Sequence, residues 1–343
     1  MVRIPWIFSI LIIIYLSIAF VASKSNEIVQ CNSWHENRNL QFYCRGSVEK
    51  ENSHKEQYFC CESSIVCILG FRQNKSSFRS IEFMDGCEMV RLEFNIFKSY
   101  GSIEKLTLSS IGLESLRLQD FTYAENLEKL DVSHNKLTEI PAMVFVNAPK
   151  ITEVNFSSNQ ISSINQMAFE HSSKITTLDL SNNRIASIDN RTFAALTALN
   201  TLYLSSNLIE VIDANVFVQN KNLVFLHLPH NKLTNFNCQY LKNLQQLDLS
   251  NNDLMDIDES CTTNGKHPNF NITLNSDHSH LRALSNDSKS IGIENDLTNL
   301  ETFNVSHNQI KNIPETPNRF GKNLKILDLT GNFVGRLIEF HKN

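Results

Sequence analysis

The sequence predicts an α/β fold: a curved solenoid, or horseshoe, with short parallel strands along its concave face. Three features predict it: phenylalanine returns every 24 residues, asparagine returns every 24 residues, and apolar residues keep fixed offsets from each asparagine. Such a period indicates stacked repeats, each of which covers the apolar face of its neighbour. The phenylalanines are Phe97, Phe121, Phe145, Phe169, Phe193 and Phe217, and the asparagines are Asn135, Asn159, Asn183, Asn207 and Asn231.

The apolar residues around each asparagine define the repeat. Side chains alternate across a strand, so the residues five and three positions before the asparagine are expected to point inward. Those six, four and two positions before it are expected to point outward. Around Asn183 the apolar set is Ile175, Leu178, Leu180, Ile185, Ile188 and Phe193, which gives the leucine-rich repeat pattern L-x-x-L-x-L-x-x-N-x-L-x-x-I.

The asparagine and the phenylalanine predict how each coil turns and curves. The asparagine amide has two donors and two acceptor lone pairs for backbone groups that the turn leaves unpaired. The far side of each coil must hold the phenylalanine ten residues after the asparagine. That side needs more room than the ~4.8 Å between neighbouring strands. The stack is therefore expected to curve, with the strands on the concave side.

The domain boundaries follow from where the interval of the repeats holds. Asn252 and Asn308 are separated by one repeat and 32 further residues, which predicts an irregular insertion. Within it, Ile272 and Leu274 could form one degenerate strand, and the remaining residues are typical of a loop. The predicted order is a signal peptide at 1–23, a cysteine-rich N-terminal cap at 24–78, repeats at 79–258, the insertion at 259–296, and two further repeats without a C-terminal cap at 297–343.

Residues 1–23 have the pattern of a secretory signal peptide. Arg3 precedes an apolar run that ends at Phe20, and the small residues Ala22 and Ser23 follow. The run of about 17 residues is at the lower edge of what spans a bilayer, so a signal anchor is the alternative. No other stretch approaches that length. We therefore expect a secreted, extracellular protein without a membrane span in the mature chain.

The eight cysteines are typical of an oxidising compartment. Cys238 and Cys261 fall on successive coils, seven and nine residues after their asparagines, which predicts a disulfide bond between them. Two buried free thiols are the alternative. Six cysteines before the regular repeats allow 15 connectivities, and the sequence leaves their pairing open. These are Cys31, Cys44, Cys60, Cys61, Cys67 and Cys87.

Asparagine-linked glycosylation is also predicted. Asn155 and Asn304 lie four residues before the asparagine of their repeats, so glycans there would cover part of the concave face. The uncovered part would then run from Asp179 to Asp248. The six N-x-S/T sequons are Asn74, Asn155, Asn190, Asn271, Asn286 and Asn304.

The concave face is the predicted binding surface, because rigid strands present their side chains in rows. Tyr203 and His227 lie four residues before their asparagines, and Phe225 lies six residues before the same asparagine as His227. These three rings are predicted to form an outward cluster between the acidic residues Asp179 and Asp248. Outward aromatic residues are typical binding anchors. Scattered exposed apolar side chains, which are normal on any protein, are the alternative.

The sequence contains no signature of catalysis: G-x-S-x-G, P-loop, H-E-x-x-H and C-x-x-C motifs are absent. His267, His278 and His280 lack the spacing of a metal site. The net charge is −5, and no run of lysine and arginine is present that could follow a phosphate backbone. We therefore expect no enzyme activity, cofactor, metal or nucleic-acid partner.

Residues from about 80 to 343 resemble extracellular leucine-rich-repeat proteins, the group that includes Toll-type receptor ectodomains and secreted proteins of arthropod immunity and neural adhesion. The sequence at 87–89, Cys-Glu-Met, looks like the N-terminal cap region of the secreted arthropod members. The resemblance implies binding of a protein ligand or co-receptor in extracellular recognition of an innate-immunity kind. It also allows a homo- or hetero-dimer, an adhesion or matrix component that self-assembles, or the ectodomain fragment of a membrane receptor.

Overall fold

The computed structural model describes residues 28–36, 39–43, 56–61, 79–83, 90–92, 95–254, 270–273, 300–304 and 326–331. Over these residues the chain forms a solenoid in which each repeat adds one short strand to a shared sheet. The solenoid predicted from the 24-residue period is confirmed.

The described strands include a regular series that begins every 24 residues from residue 105 to residue 225. The described strands are β1 (Ile28–Glu36), β2 (Asn39–Tyr43), β3 (Glu56–Cys61), β4 (Ser80–Phe83), β5 (Lys105–Thr107), β6 (Lys129–Asp131), β7 (Glu139–Ile140), β8 (Glu153–Asn155), β9 (Ser163–Ile164), β10 (Thr177–Asp179), β11 (Thr201–Tyr203), β12 (Phe225–His227), β13 (Gln246–Asp248), β14 (Phe270–Thr273), β15 (Leu300–Asn304) and β16 (Ile326–Asp328). Within the described residues, the α-helix α1 (Asn95–Ser99) and 3₁₀ turns at Leu118–Phe121 and Ala214–Phe217 lie between strands. Within the described residues the main sheet has the order β16-β15-β14-β13-β12-β11-β10-β8-β6-β5-β4-β2-β1-β3, and β7 pairs with β9.

Neighbouring repeat strands pair in parallel with the same register, so equivalent side chains form rows along the solenoid. Leu178 lies beside Leu202, and Leu202 lies beside Leu226. In each of these strands the middle residue is buried and its two neighbours are partly exposed. The predicted alternation of inward and outward positions is confirmed.

The asparagine that recurs in each coil joins that coil to the one before it. The Nδ2 of Asn183 donates to the carbonyl oxygens of Leu180 and Ser181 in its own coil and of Phe156 in the preceding coil, each at 3.0 Å. Its Oδ1 accepts the N–H of Ile161 at 2.9 Å. Equivalent bonds are made by the buried side chains of Asn135, Asn159, Asn207, Asn231 and Asn252. We call this series the asparagine ladder.

The residue before each ladder asparagine turns the backbone into the left-handed region. This conformation costs a residue other than glycine ~1–2 kcal/mol. It is held by hydrogen bonds between coils; the N–H of Asn182, for example, donates to the Ser205 oxygen at 2.8 Å. The φ values lie between 54° and 56° at His134, Ser158, Asn182, Ser206, His230 and Asn251.

The phenylalanine column forms the opposite side of the core. All of its rings are buried, with at most 2% of each residue exposed. Ring centroids of successive coils, from Phe97 to Phe217, are 5.3 to 6.4 Å apart. This spacing exceeds the ~4.8 Å between paired strands. The difference makes the stack curve, and the strands lie on its concave side.

The sheet extends beyond the regular repeats. β2 pairs in parallel with β4, and β1 pairs antiparallel with both β2 and β3. The cysteine pattern alone does not predict these strands. β14 pairs in parallel with β13 and β15, and Ile272 lies beside Leu247. The degenerate strand predicted around Ile272 is therefore present, while Leu274 lies outside the described residues.

Cys238 is buried and disulfide-bonded. Cys261, its predicted partner, lies outside the described residues. The backbone of Cys31 is part of β1, and the backbones of Cys60 and Cys61 are part of β3. Other predictions that lie outside the described residues concern the signal peptide at 1–23 and Cys44, Cys67, Cys87, Asn74, Asn286, His267, His278 and His280.

Replacing Asn183 by leucine tests the asparagine ladder. The Asn183→Leu variant leaves the buried Ile161 N–H and several carbonyl oxygens without their partner, and each stranded group costs ~1–3 kcal/mol. We expect the free energy of unfolding, measured by urea titration, to fall by about 3 kcal/mol. Gln219→Leu is the control, because Gln219 is exposed and makes no hydrogen bond with another described residue. Equal stability of the two variants would contradict the structural role of the ladder.

Candidate binding surface on the strand face

The register of the sheet places four of the predicted binding residues side by side. Asp179 lies beside Tyr203, Tyr203 beside His227, and His227 beside Asp248. All four are partly exposed on the outward side of β10 to β13. Parallel pairing brings them together, although 69 residues of sequence separate the first from the last. With Phe225 they make up what we call the strand-face site.

Tyr203 and His227 form the centre of the strand-face site. Their ring centroids are 4.9 Å apart, and their ring planes differ by 21°. This separation is typical of offset-stacked rings. Each ring lies on one of two directly paired strands, so the backbone fixes their relative position. The pair therefore presents two aromatic rings whose relative position is fixed before a ligand is bound.

Phe225 lies on the same side of β12 as His227, two residues before it. Its strand neighbours are Thr201 and Gln246. Phe225 is partly exposed and makes no ring contact with another described residue. The sequence predicts one cluster of three rings, whereas the structure brings only Tyr203 and His227 into contact. Phe225 extends the apolar surface toward the start of the strands.

The two aspartates at the ends of the row each use one carboxylate oxygen to brace their own coil. Oδ1 of Asp179 accepts the N–H of Ser181 at 2.8 Å and its hydroxyl at 2.6 Å. Oδ1 of Asp248 accepts the same two groups of Ser250, at 3.0 and 2.7 Å. Neither Oδ2 forms a hydrogen bond with another described residue. These two oxygens are available to donors of a ligand.

The surroundings of His227 favour the neutral form of its imidazole. Burial lowers the pKa of its imidazole from the ordinary 6.5, and the nearby carboxylates of Asp248 and Asp179 raise it by less. A neutral imidazole keeps one ring nitrogen as an acceptor and one as a donor. The strand-face site therefore carries its net negative charge on the two aspartates.

The hydroxyls of Ser181 and Ser250 donate to aspartates, and neither is hydrogen-bonded to a histidine that could act as its base. In the described part of the chain, no group of three or more His, Cys, Asp or Glu side chains is placed to hold a metal ion. The site offers ring faces, an imidazole and carboxylate oxygens, which are groups that recognise a ligand.

Predicted glycosylation sites border the strand-face site. Asn155 lies beside Asp179 in the same row, and its Oδ1 accepts the Ser157 N–H at 2.9 Å. Its Nδ2, the atom to which a glycan would be attached, makes no hydrogen bond with another described residue. Asn304 on β15 lies in the same row beyond Asp248, and Asn271 on β14 lies beside Gln246. Asn190 is exposed in the loop after β10.

The structure also contains a groove that the sequence patterns did not predict. It has a volume of about 570 Å³ and follows the edge at which β10 to β13 begin. Its lining residues are Thr176, Thr177, Ala198, Asn200, Asn222, Val224, Asn243 and Gln245. We call it the strand-start groove. A second column of asparagines is the sequence signal that marks this edge. Its members are Asn126, Asn222 and Asn243, each of which lies nine residues before a ladder asparagine.

The pKa of His227 tests the electrostatics of the strand-face site. We expect an NMR titration to give a pKa below 6.5, and Asp248→Asn to lower it further, because that substitution removes a charge that favours the imidazolium. Since the folded-state pKa is below the unfolded value, this group should make the protein less stable as the pH falls through 6.5. Asp131→Asn is the control and should leave the pKa unchanged. An increase of the pKa in Asp248→Asn would contradict this account.

Family profiles recognise the repeats. The profile described as "Leucine rich repeat" matches residues 101–161, 125–185, 173–233 and 198–254. The profile described as "Leucine Rich repeats (2 copies)" matches residues 298–342. Together the matches cover more than half of the chain. No curated protein matches the sequence.

Solved structures share the fold. TLR13 in the TLR13–ssRNA13 complex matches with a TM-score of 0.67 and 24% identity, over 75% of this chain and 37% of that chain. A leucine-rich-repeat protein of Leptospira interrogans matches with a TM-score of 0.56 and 22% identity, over 75% of this chain and 67% of that one. The leucine-rich-repeat domain of APL1 matches with a TM-score of 0.50 and 24% identity, over 79% of both chains. At these identities the likeness concerns the fold alone, and this chain spans little more than a third of the TLR13 chain.

The repeat profiles, the asparagine ladder and the parallel rows of inward leucines all describe the same unit. In proteins of this fold the solenoid typically presents a surface for interaction with other proteins. In the described part of the chain, no helix has the length and apolar content needed to cross a bilayer. From the profiles and the coil geometry together, we conclude that this chain belongs to the leucine-rich-repeat family.

Proposed function

We propose that this protein is a non-enzymatic binding protein that holds a protein partner on its strand-face site. The stacked pair of Tyr203 and His227, fixed on adjacent strands between two aspartates, carries this proposal. Rigid aromatic side chains at the centre of a surface are typical anchors of protein interfaces. Their position on strands removes much of the ordering cost that a flexible loop would have on binding.

Tyr203 and His227 occupy the row position at which other coils have a side chain that accepts a hydrogen bond from the backbone two residues later. In neighbouring coils, Oδ1 of Asp131 and Oδ1 of Asn155 each accept the backbone N–H two residues later, at 2.9 Å. A tyrosine or a histidine cannot make this short-range bond in the same way. In the coil of His227, the residue two positions later is Pro229, which has no N–H to brace. The rings therefore have no bracing role in their coils, which supports a role in binding.

The charge of the strand-face site indicates the chemistry of the partner. The ring faces attract a cationic group, and the free Oδ2 atoms of Asp179 and Asp248 can accept its hydrogen bonds. An arginine guanidinium can stack on a ring and donate to a carboxylate at the same time. We therefore expect the partner to place an arginine or a lysine at the centre of the contact.

We also propose that this binding takes place outside the cell, in recognition or signalling of an innate-immunity kind. The signal-peptide pattern of residues 1–23, the N-x-S/T sequons and the disulfide bond of Cys238 support secretion. The resemblance of the repeats to Toll-type receptor ectodomains supports a role in recognition.

Glycosylation of Asn155 tests the extracellular proposal and the extent of the open surface. Its side chain is partly exposed and its Nδ2 is free, so we expect mass spectrometry of glycopeptides from the secreted protein to find Asn155 occupied. Asn190, exposed in a loop, is the internal reference. An unmodified Asn155 together with an occupied Asn190 would show that the open concave surface extends beyond Asp179.

Alanine substitutions test the strand-face site. Peptides selected from a random display library on the wild-type protein are expected to be rich in arginine and lysine. Tyr203→Ala and Phe225→Ala should each weaken their binding roughly 30-fold, as expected for the loss of an interface anchor. The control is Leu208→Ala with Val211→Ala, because both side chains are exposed apolar groups away from the strand face, at 42% and 56%.

Two results would contradict the proposed function. Equal loss of binding in the control variant would show that any exposed apolar group serves as well. Unchanged peptide binding in Tyr203→Ala and Phe225→Ala, with self-association detected by size-exclusion chromatography and light scattering, would favour an adhesion protein that acts by assembly.

A further inference from the structure

Positive charge is concentrated on the edge of the solenoid at which the strands begin. Five successive coils approach their strands through residues 147–152, 171–176, 195–200, 219–224 and 240–245, and these segments contain no aspartate or glutamate. They contain four exposed lysines: Lys150, Lys174, Lys221 and Lys242. The whole chain has a net charge of −5, so this edge differs in sign from the average of the protein. The lysines are far apart in sequence, and only the stacking of coils brings them to one edge.

Three of these lysines are not neutralised by a neighbour. Lys174, Lys221 and Lys242 form no ion pair with another described residue. Lys129 and Glu153, the first residues of β6 and β8, form an ion pair at 2.7 Å, so this lysine is neutralised. Lys150 is different, because its Nζ donates to Oδ1 of Asn126 at 2.7 Å and so joins two coils. The charges of Lys174, Lys221 and Lys242 are free to attract an anionic ligand.

The strand-start groove lies among these lysines. Lys221 directly precedes Asn222, Lys242 directly precedes Asn243, and Lys174 lies two residues before Thr176; each of these three neighbours lines the groove. Hydroxyl, amide and small apolar side chains form the lining, and no charged residue is part of it. A ligand in the groove would thus meet neutral polar groups first, with positive charges along its margin.

The groove amides have fixed orientations. Nδ2 of Asn222 donates to the Thr197 oxygen at 2.9 Å, and Nδ2 of Asn243 donates to the Lys221 oxygen at 2.7 Å. These bonds connect each side chain to the preceding coil. The Oδ1 atoms of both asparagines accept no hydrogen bond from another described residue. They offer acceptors to a ligand that carries hydroxyl or N–H donors.

We propose that the strand-start groove and its lysines form a binding site for an anionic polysaccharide, a polymer that carries hydroxyl groups together with sulfate or carboxylate groups. Sugar hydroxyls donate to Oδ1 of Asn222 and Asn243. The anionic groups contact Lys174, Lys221 and Lys242, which belong to coils spread over about 14 Å at ~4.8 Å per strand. That distance requires a polymer, because one small anion cannot contact all three lysines.

Nucleic acid fits this site less well. A duplex phosphate backbone presents acceptors but no donors for the asparagine oxygens. Single strands are typically held by bases that stack on aromatic side chains, and the groove lining contains none. Phe225 and Tyr203 point to the strand face and belong to the site proposed for a protein partner. The polysaccharide site is separate from that site and does not depend on it.

The six predicted glycosylation sites lie outside the sequence segments that approach the groove. None of the sequons falls within residues 171–176, 195–200, 219–224 or 240–245. A glycan at Asn155 would project from the strand face.

Heparin, as the probe, tests the proposal with the full secreted chain. We expect binding that weakens with salt, and Lys174→Gln, Lys221→Gln and Lys242→Gln combined to reduce the affinity roughly tenfold at physiological salt. Lys136→Gln, Arg184→Gln and Lys232→Gln combined are the matched control, with the same change in charge on the opposite edge of the strands. This control should bind heparin like the wild type. Ala198→Phe, which fills the groove without a change in charge, should also weaken binding.

Each of the following results would overturn the proposal: absence of heparin binding at low salt, an equal loss of affinity in the two triple variants, or tighter binding of a single-stranded polynucleotide than of heparin. Uncharged dextran, which should not bind, completes the set of probes. Tyr203→Ala should bind heparin normally. That variant separates a failure of this proposal from a failure of the strand-face site.

Discussion

The hydrogen bonds of the asparagine ladder hold the coils from β5 to β13 in register. Each buried amide satisfies carbonyl oxygens of its own coil and of the preceding coil, and its oxygen accepts an N–H from the preceding coil, as Asn183 does with Ile161. Backbone hydrogen bonds between coils hold the strained left-handed residues before the ladder asparagines from Asn135 to Asn231. Since all coils are fixed by the same set of contacts, equivalent residues must lie side by side. A slip of one residue would turn the outward rows into the core.

The proposed binding surfaces lie at the positions that the ladder and the core leave free. In the row that contains the strand-face site, an aspartate or asparagine usually braces the turn that follows the strand, as Asp131 does. At Tyr203 and His227 this bracing is absent, and a stacked ring pair takes its place. At the opposite end of the strands, Ala198 stands where other coils have a longer residue, and the strand-start groove lies there. Small changes in outward rows thus create distinct surfaces without any change in the coil.

The sequence predicts the features that repeat and misses those that occur once. The period predicts the strands, the inward leucines and the buried phenylalanine column, because each coil can be compared with its neighbours. The antiparallel pairing of β1 with β2 and β3 has no counterpart in another coil, so no interval in the sequence indicates it. The row positions predict that Tyr203 and His227 are neighbours. They do not predict that Phe225, two residues earlier in the same strand as His227, makes no ring contact with another described residue. The strand-start groove depends on side chains from several coils. The asparagine column marks this edge in the sequence, but no sequence pattern shows that the short side chain of Ala198 leaves space there.

Hydroxyl-radical footprinting of the protein with and without a selected peptide tests most directly whether the strand face binds a protein partner. Aromatic side chains react readily with the radicals, so Tyr203, Phe225 and His227 report on the strand face. Tyr123, which is 52% exposed and lies away from it, is the internal reference. The account predicts that the peptide protects Tyr203 and His227 and leaves the reactivity of Tyr123 unchanged. Protection of Tyr123 with unchanged reactivity of Tyr203 and His227 would contradict it.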